Sequence, residues 1–330
     1  MPTVTLNDSV FPLEDGESVL DGLLRQGQSL AHACKSGICQ SCLIKTVAGA
    51  PDARATKGLK ASLQTNGYAL ACQWVPDSDV TIALPDTAAI AVPMQIIALD
   101  PLGPGILRIR LDFSDATQRF NSHPGQYLNL SNPAGVARSY SIASDYAHDG
   151  YLELHVAQLP QGEFTTWLFA EAQVGDELYA QGPIGDCFYQ PEAGCDAPIL
   201  LAGTGTGLAP LYGILHDALR RQHKGPIVLL HGGSRPERLY YVDELHGLQD
   251  SHVNLHYNAL VLDGAEDNPQ LQQGDLAEAA IAALDPAALA QQRVFLCGDP
   301  AFVQGLRKQI FLKGVRSANI FCDAFVTRSA

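Results

Sequence analysis

The sequence predicts a multidomain α+β and α/β protein: a small cysteine-bearing segment, an antiparallel β-barrel and a doubly wound parallel sheet. Three observations lead there. Four of the eight cysteines crowd into residues 34–72. From about Met94 to Gln190, short runs alternate apolar and polar residues and are punctuated by Pro and Gly. Beyond about Pro198, short apolar strands alternate with helical stretches, the order that builds a parallel sheet with helices on both faces.

The chain of 330 residues is long enough for two or three domains. In the first, expected over residues 1–88, Val4–Leu6 and Val80–Leu84 have strand character and Ser18–Gln26 reads as a short helix. Leu84–Pro93, a small-residue run between prolines, reads as a linker. In the second, over 94–192, Ile106, Ile109 and Leu111 share a run with Arg108 and Arg110. Leu152, Leu154 and Val156 alternate with Glu153 and His155, the pattern of a half-buried strand, so an antiparallel barrel is expected. In the third, over 197–330, strands at Pro198–Ala202, Ile227–Leu230 and Arg293–Cys297 precede helices near Leu208–Arg221, Glu237–Leu248 and Phe302–Lys313. No internal repeat or low-complexity tract interrupts this order.

Composition narrows the partners. With 35 acidic and 21 basic residues the net charge is -14, which opposes nucleic-acid binding because phosphate contacts need a basic surface. Stretches such as Pro198–Ala202 and Ile227–Leu230 are too short to cross a bilayer, and MPTVTLNDSV lacks the basic and apolar regions of a secretory signal. A cytoplasmic protein without a membrane partner is expected. In that reducing setting clustered cysteines read as metal ligands rather than disulfides; Cys187, Cys195, Cys297 and Cys322 are scattered singly.

The clustered cysteines follow the spacing Cys34-x4-Cys39-x2-Cys42, with Cys72 after 29 intervening residues. This is plant-type [2Fe–2S] spacing: two irons need four thiolates, three from a tight loop and one from a distant segment. Ser36, Gly37 and Ser41 are small enough to let backbone N–H groups turn toward sulfur. A structural zinc site or four unrelated buried cysteines are the alternatives, but zinc usually takes paired C-x2-C knuckles and only one such pair is present.

Three further segments carry chemistry. Arg138-Ser139-Tyr140-Ser141 offers an arginine fork for a pyrophosphate, a ring to stack on a flavin and a hydroxyl to bond near its reactive nitrogen. Gly162-Glu163-Phe164-Thr165-Thr166 reads as a glycine turn opening a helix, an anion site with hydroxyls in its first turn. Gly203-Thr204-Gly205-Thr206-Gly207 follows a strand and precedes a helix, where glycines let a backbone approach a dinucleotide pyrophosphate. Its G-x-G-x-G spacing differs from the ordinary G-x-G-x-x-G. Ser234, Arg235 and Arg238, after the next strand, suit either a ribose 2′-phosphate or a solvated loop.

The run AHACKSGICQSCLIKTVAG, with ACQ at 71–73, resembles the cluster loop of plant-type ferredoxin domains, which implies a β-grasp fold. RSYSIAS, the Gly162 turn, QGPIGDCF and the Gly203–Pro210 loop resemble the FAD and nucleotide domains of the ferredoxin–NADP reductase superfamily. The order ferredoxin, FAD, nucleotide is similar to that of reductase components of bacterial oxygenases of the benzoate, phenol and methane types.

The resemblance implies that Arg138, Ser139, Tyr140 and Ser141 hold FAD, that Thr165 or Thr166 caps its pyrophosphate after Gly162, and that His155, Val156 and Ala157 line it mainly through backbone. Thr stands where many relatives have Ser after the glycine, which keeps the hydroxyl. The turn Cys297-Gly298-Asp299-Pro300 implies a cysteine beside the nicotinamide, and the ending resembles those in which an acid, here Asp323, and an aromatic, here Phe325, sit near the flavin. Ser141, Cys297 and Asp323 are therefore the expected catalytic residues. The expected cofactors are a [2Fe–2S] cluster, FAD and NADH, with NADPH left open. The expected activity passes electrons from NAD(P)H to FAD to the cluster to an acceptor protein, an oxygenase or hydroxylase component. A reductase serving a deoxysugar dehydratase and a redox sensor binding the same cofactors are the alternatives.

Overall fold

The computed structural model describes all residues except 29, 33, 60, 86–90, 116, 118–120, 192–195, 267 and 326–330, with only the backbone of 61 and 62. Cys195, the middle of the expected Leu84–Pro93 linker and the expected boundary at 192 lie outside the described residues.

The first sheet comprises β1 (Thr3–Leu6), β2 (Ser9–Pro12), β3 (Leu43–Ala48), β4 (Tyr68–Leu70) and β5 (Val80–Ala83), in the order β2-β1-β5-β3-β4. β1 and β2 form a hairpin whose two turn residues, Asn7 and Asp8, both have positive φ, as a two-residue turn matched to strand twist requires. β1 and β5 run parallel. Val4, Leu6, Val80 and Ile82 alternate inward onto Trp74 and the helix Val19–Arg25, which buries Val19, Leu20 and Leu23. The Ser18 hydroxyl accepts from the Asp21 N–H at the helix start.

The second sheet comprises β6 (Val92–Gly103), β7 (Ile106–Phe113), β8 (Tyr127–Ser131), β9 (Ala137–Ser141), β10 (Leu152–Ala157) and β11 (Glu177–Ile184), in the order β10-β7-β6-β11-β8-β9. Its neighbours pair antiparallel, and a bridge between Ile142 and Leu154 joins the two edges and closes the barrel. β10 departs from the expected half-buried pattern. Leu152, Leu154 and Val156 enter the barrel core, but Glu153 and His155 are buried as well, because Tyr240 and Tyr241 of the third unit cover the outer face.

The third sheet is wholly parallel: β12 (Ile199–Thr204), β13 (Ile227–Gly233), β14 (Leu255–Val261), β15 (Leu271–Gln273), β16 (Arg293–Gly298) and β17 (Ile320–Ala324), in the order β15-β14-β13-β12-β16-β17. Helices Leu208–Arg220 and Val242–Ser251 pack with one apolar core, and Leu276–Ala282 and Pro300–Lys313 with another. The chain leaves β12 toward β13 and later returns to β16 on β12's other edge. That reversal opens a ligand crevice at the carboxyl ends of β12 and β16.

One helix was expected too early. Instead of Glu237–Leu248 it spans Val242–Ser251, after a 3-10 turn at Pro236–Arg238. Leu239 and Tyr240 are both buried in the core, and Tyr241 has a φ of 60°, so the segment between turn and helix is not helical. Among the described residues, no helix is long and apolar enough to cross a membrane.

Candidate functional site

Cys34, Cys39, Cys42 and Cys72 come together as two hydrogen-bonded pairs, Cys34 with Cys39 and Cys42 with Cys72. The Cys39 thiol, bonded to Cys34, favours the Cys34 thiolate, and the Cys42 thiol does the same for Cys72, so both are drawn below the usual thiol range. Cys39 and Cys42 are pushed up by sharing those protons and by burial. Backbone N–H groups turn inward: Ser36 and Cys39 donate to Cys34 Sγ at 3.4 and 3.3 Å, and Cys34 donates to Cys39 Sγ at 3.5 Å. Gly37 donates toward Cys72, which also accepts from Gln73 Nε2 at 3.5 Å. Gly37 has a φ of 80°, and a Cβ there would sit 2.8 Å from Gln73 Cγ, so the turn needs glycine. Two neighbouring thiol pairs met by inward N–H donors fit the ligand set of a [2Fe–2S] cluster, whose thiolates gain from such donors.

On β9, the Arg138 guanidinium bonds only the Ala137 carbonyl among the described residues, leaving most of its fork for an anion. Tyr140 lies against Phe164, with ring centroids 5.4 Å apart. Helix Glu163–Ala170 starts at Gly162 without a side-chain cap, so its first N–H groups are free to meet a pyrophosphate. The two threonines divide. Thr165 is buried, its hydroxyl engaged with Leu159 and Gly162 backbone, whereas Thr166 is exposed. Val156 points into the barrel core and Ala157 is partly exposed, so β10 can offer a ligand its backbone there. The cradle fits FAD.

The His155 side chain turns the other way. Nε2 lies 3.1 Å from Glu153 Oε1, and Nδ1 lies 2.9 Å from the Tyr240 hydroxyl. Burial lowers its pKa, so the ring is neutral; with a carboxylate that only accepts, the proton belongs on Nε2, and Nδ1 accepts from Tyr240. Arg110 pairs with Glu153 at 2.9 Å, and Arg108 donates to the Tyr241 hydroxyl at 3.0 Å. This network fastens the barrel to the third unit.

In the nucleotide loop, Gly203 and Gly207 abut the Cys297 backbone. A Cβ at Gly207 would collide with the Cys297 carbonyl. Gly205, with φ 52° and open space beside it, is where a pyrophosphate can approach. Thr204 accepts from the Asp299 N–H at 2.9 Å, and a Cβ on Gly298 would strike its hydroxyl, so the two turns interlock. Asp299 caps helix Pro300–Lys313, and the Thr206 side chain is partly exposed. Ser234, Arg235 and Arg238 are exposed at the end of β13.

The expected catalytic residues meet. Ser141 Oγ donates to Asp323 Oδ2 at 2.6 Å, and Asp323 is the β17 partner of Cys297 on β16. The Asp323 residue is partly exposed, yet its carboxyl is hemmed in by protein, which pushes its pKa up to about 6. Cys297 is fully buried and its thiol is held well above the usual range by burial and by Cys187, whose sulfur lies 3.9 Å away. The Phe325 N–H donates to the Gly298 carbonyl at 2.8 Å, fixing the backbone of Phe325 beside this turn. Tyr127, Asn129, Cys187 and Tyr240 were not singled out from sequence; each acts through a partner 85 or more positions away.

Comparison with known proteins returns three family models in chain order. They describe a 2Fe-2S iron-sulfur cluster binding domain at 4–77, an oxidoreductase FAD-binding domain at 94–189 and an oxidoreductase NAD-binding domain at 201–308. The ferredoxin–NAD(P)+ reductase component of the naphthalene 1,2-dioxygenase system of Pseudomonas putida is 29% identical over 325 residues, covering 97% of this chain and 96% of that protein. The reductase subunit of an Amycolatopsis aromatic O-demethylase is 30% identical over 302 residues, 88% of each. Among solved structures, an Amycolatopsis cytochrome P450 reductase superposes with a TM-score of 0.69 at 27% identity, covering both chains fully.

Proposed function

The chain belongs to the ferredoxin-fused branch of the ferredoxin–NADP reductase family, and from that premise we propose that it delivers electrons to the terminal component of an oxygenase system. It is an NAD(P)H-dependent iron–sulfur flavoprotein oxidoreductase whose cofactors are a [2Fe–2S] cluster, FAD and NAD(P)H. FAD, when bound, splits the electron pair of the nicotinamide hydride into the single electrons that a [2Fe–2S] centre accepts.

The placement of the residues supports the following roles. Cys34, Cys39, Cys42 and Cys72 ligate the cluster in the unit assigned to 1–88. Arg138, Tyr140, Thr166 and the amides after Gly162 hold FAD in the barrel assigned to 94–192. Gly203–Gly207 and the turn Cys297–Asp299 hold the nucleotide in the unit assigned to 197–330. Ser141 and Asp323 share a proton where the nicotinamide would meet the flavin, and buried Cys297 excludes water from the same spot. The observation that carries this reading is the hydrogen bond from Ser141 to Asp323, which joins the flavin segment to the strand paired with Cys297.

An oxygenase acceptor is supported by the relatives, named as components of naphthalene dioxygenase and aromatic O-demethylase systems. The acidic balance supports a protein partner rather than nucleic acid, and a reducing cytoplasmic setting suits four cysteines that serve as cluster ligands rather than disulfides. Supplied with NADH, the terminal component of an aromatic-ring dioxygenase or a demethylating cytochrome P450, and its aromatic substrate, the protein is expected to drive product formation. Sustained cytochrome c reduction without product from any such component would contradict the oxygenase assignment.

A further inference from the structure

Tyr127 and Asn129 on β8 are the cross-strand partners of Ser141 and Ser139 on β9, so these four share one face of the strand pair. That face meets the cluster loop. Tyr127 donates its hydroxyl to the Ile38 carbonyl at 2.7 Å, and Asn129 Nδ2 donates to the Cys39 carbonyl at 3.2 Å. Asn129 Oδ1 accepts from Ser139 Oγ at 2.7 Å and, more weakly, from Ser41 Oγ at 3.4 Å. Asn129 is only 4% exposed and is engaged at both ends of its amide.

We propose that Asn129 is the positioning residue for electron passage between flavin and cluster. Its amide clamps the backbone of ligand Cys39 to the strand that carries Arg138–Ser141. The chemistry calls for this side chain. The Cys39 carbonyl needs a donor and the two serine hydroxyls need an acceptor; a neutral carboxamide of this length supplies both from one buried position. Aspartate has no donor for the carbonyl and brings charge toward an anionic cluster, and leucine leaves all three partners unsatisfied. Electron transfer falls steeply with separation, so loosening this clamp slows cluster reduction without disturbing hydride delivery at Cys297 and Asp323.

This inference rests on the cluster and flavin assignments above, and the test separates them. Asn129→Ala and Tyr127→Phe are made in the full-length holoenzyme and mixed anaerobically with NADH in a stopped-flow spectrometer. Flavin bleaching is expected to keep its wild-type rate. Cluster bleaching is expected to slow by about tenfold in Asn129→Ala and by about threefold in Tyr127→Phe, as misplacement costs rate without new chemistry. Amide hydrogen exchange over residues 36–42 is expected to rise in both variants, with iron content and the reduced-cluster EPR signal unchanged. Unchanged cluster bleaching and exchange in variants with full iron content overturn the proposal and leave the cofactor assignments standing. If Asn129→Ala does not retain its cluster, Asn129→Asp, which keeps the acceptor for the two serines and loses the donor to the Cys39 carbonyl, decides in its place. Full iron content and an unchanged EPR signal in Cys72→Ser would instead overturn the cluster assignment itself.

Discussion

The barrel meets its two neighbours in unlike ways. Against the third unit it buries an ionisable network, with Glu153 held by Arg110, His155 and Tyr241, His155 by Tyr240, and Ser141 bonded to Asp323. Against the cluster loop the described contacts are neutral hydrogen bonds from Tyr127 and Asn129 to backbone carbonyls, and from Ser41 to Asn129. The first kind is demanding: removing one member strands buried charge. The second carries no charge, but Asn129 is buried and its removal leaves the Cys39 carbonyl without its donor. The contrast matches the chemistry on each side. Hydride transfer needs reacting atoms held in near-attack geometry. Passing a single electron needs a short, fixed separation but no reacting atoms in bonding contact, which uncharged clamps on the loop backbone supply.

The largest expected effect lies on the cluster side. Cys72→Ser should lose the cluster and with it cytochrome c reduction, by about a hundredfold or more, while ferricyanide reduction directly from flavin continues. Steady-state assays with the two acceptors check it, and equal loss of both would break the distinction between the two junctions.

Next comes Glu153→Ala, which leaves Arg110 without its partner and removes the acceptor of His155. A stability loss of about 3 kcal/mol is expected, read by urea unfolding of the third unit and barrel together. A loss below about 1 kcal/mol would mean that the network does not fasten the units.

A pH effect sharpens the same junction. Burial raises the Asp323 pKa, so between the usual value of 3.8 and about 6 the folded protein binds more protons than the unfolded chain. Its contribution to stability is complete at the acid end and is lost as pH rises through about 6. Asp323→Asn should remove that slope and the matching inflection in the rate of flavin reduction. An unaltered profile would place the titration elsewhere.

The smallest effects concern the ligands' edges. Thr166→Ala should weaken FAD binding by about fivefold, measured by flavin release, whereas the same change at Thr165 should act mainly on stability because its hydroxyl already serves backbone. Arg235→Ala with Arg238→Ala should raise KM for NADPH more than for NADH, and equal changes would remove these residues from 2′-phosphate recognition.

Much of this was legible before folding because the chemistry lies in contiguous runs. The cluster loop, the R-x-Y-S strand, the glycine loop and the cysteine turn each announce themselves within a dozen residues, and alternation at Leu152–Val156 marks a barrel strand. What escaped lies between units. His155 reads as the exposed member of an alternating strand until Tyr240 closes over it, and Asn129 has no local signature because its value is set by Cys39, 90 positions earlier. The helix after β13 was misplaced because Pro236 and Glu237 resemble a helix start, while burial of Leu239 and Tyr240 holds that stretch out of the helix.

A two-centre relay fed by nicotinamide is tested most directly by an anaerobic titration with NADH, repeated with NADPH. Visible absorbance and EPR followed together should show flavin and cluster both reduced, with the cluster signal absent from Cys72→Ser. Both centres present but left oxidised by either nucleotide would contradict the relay.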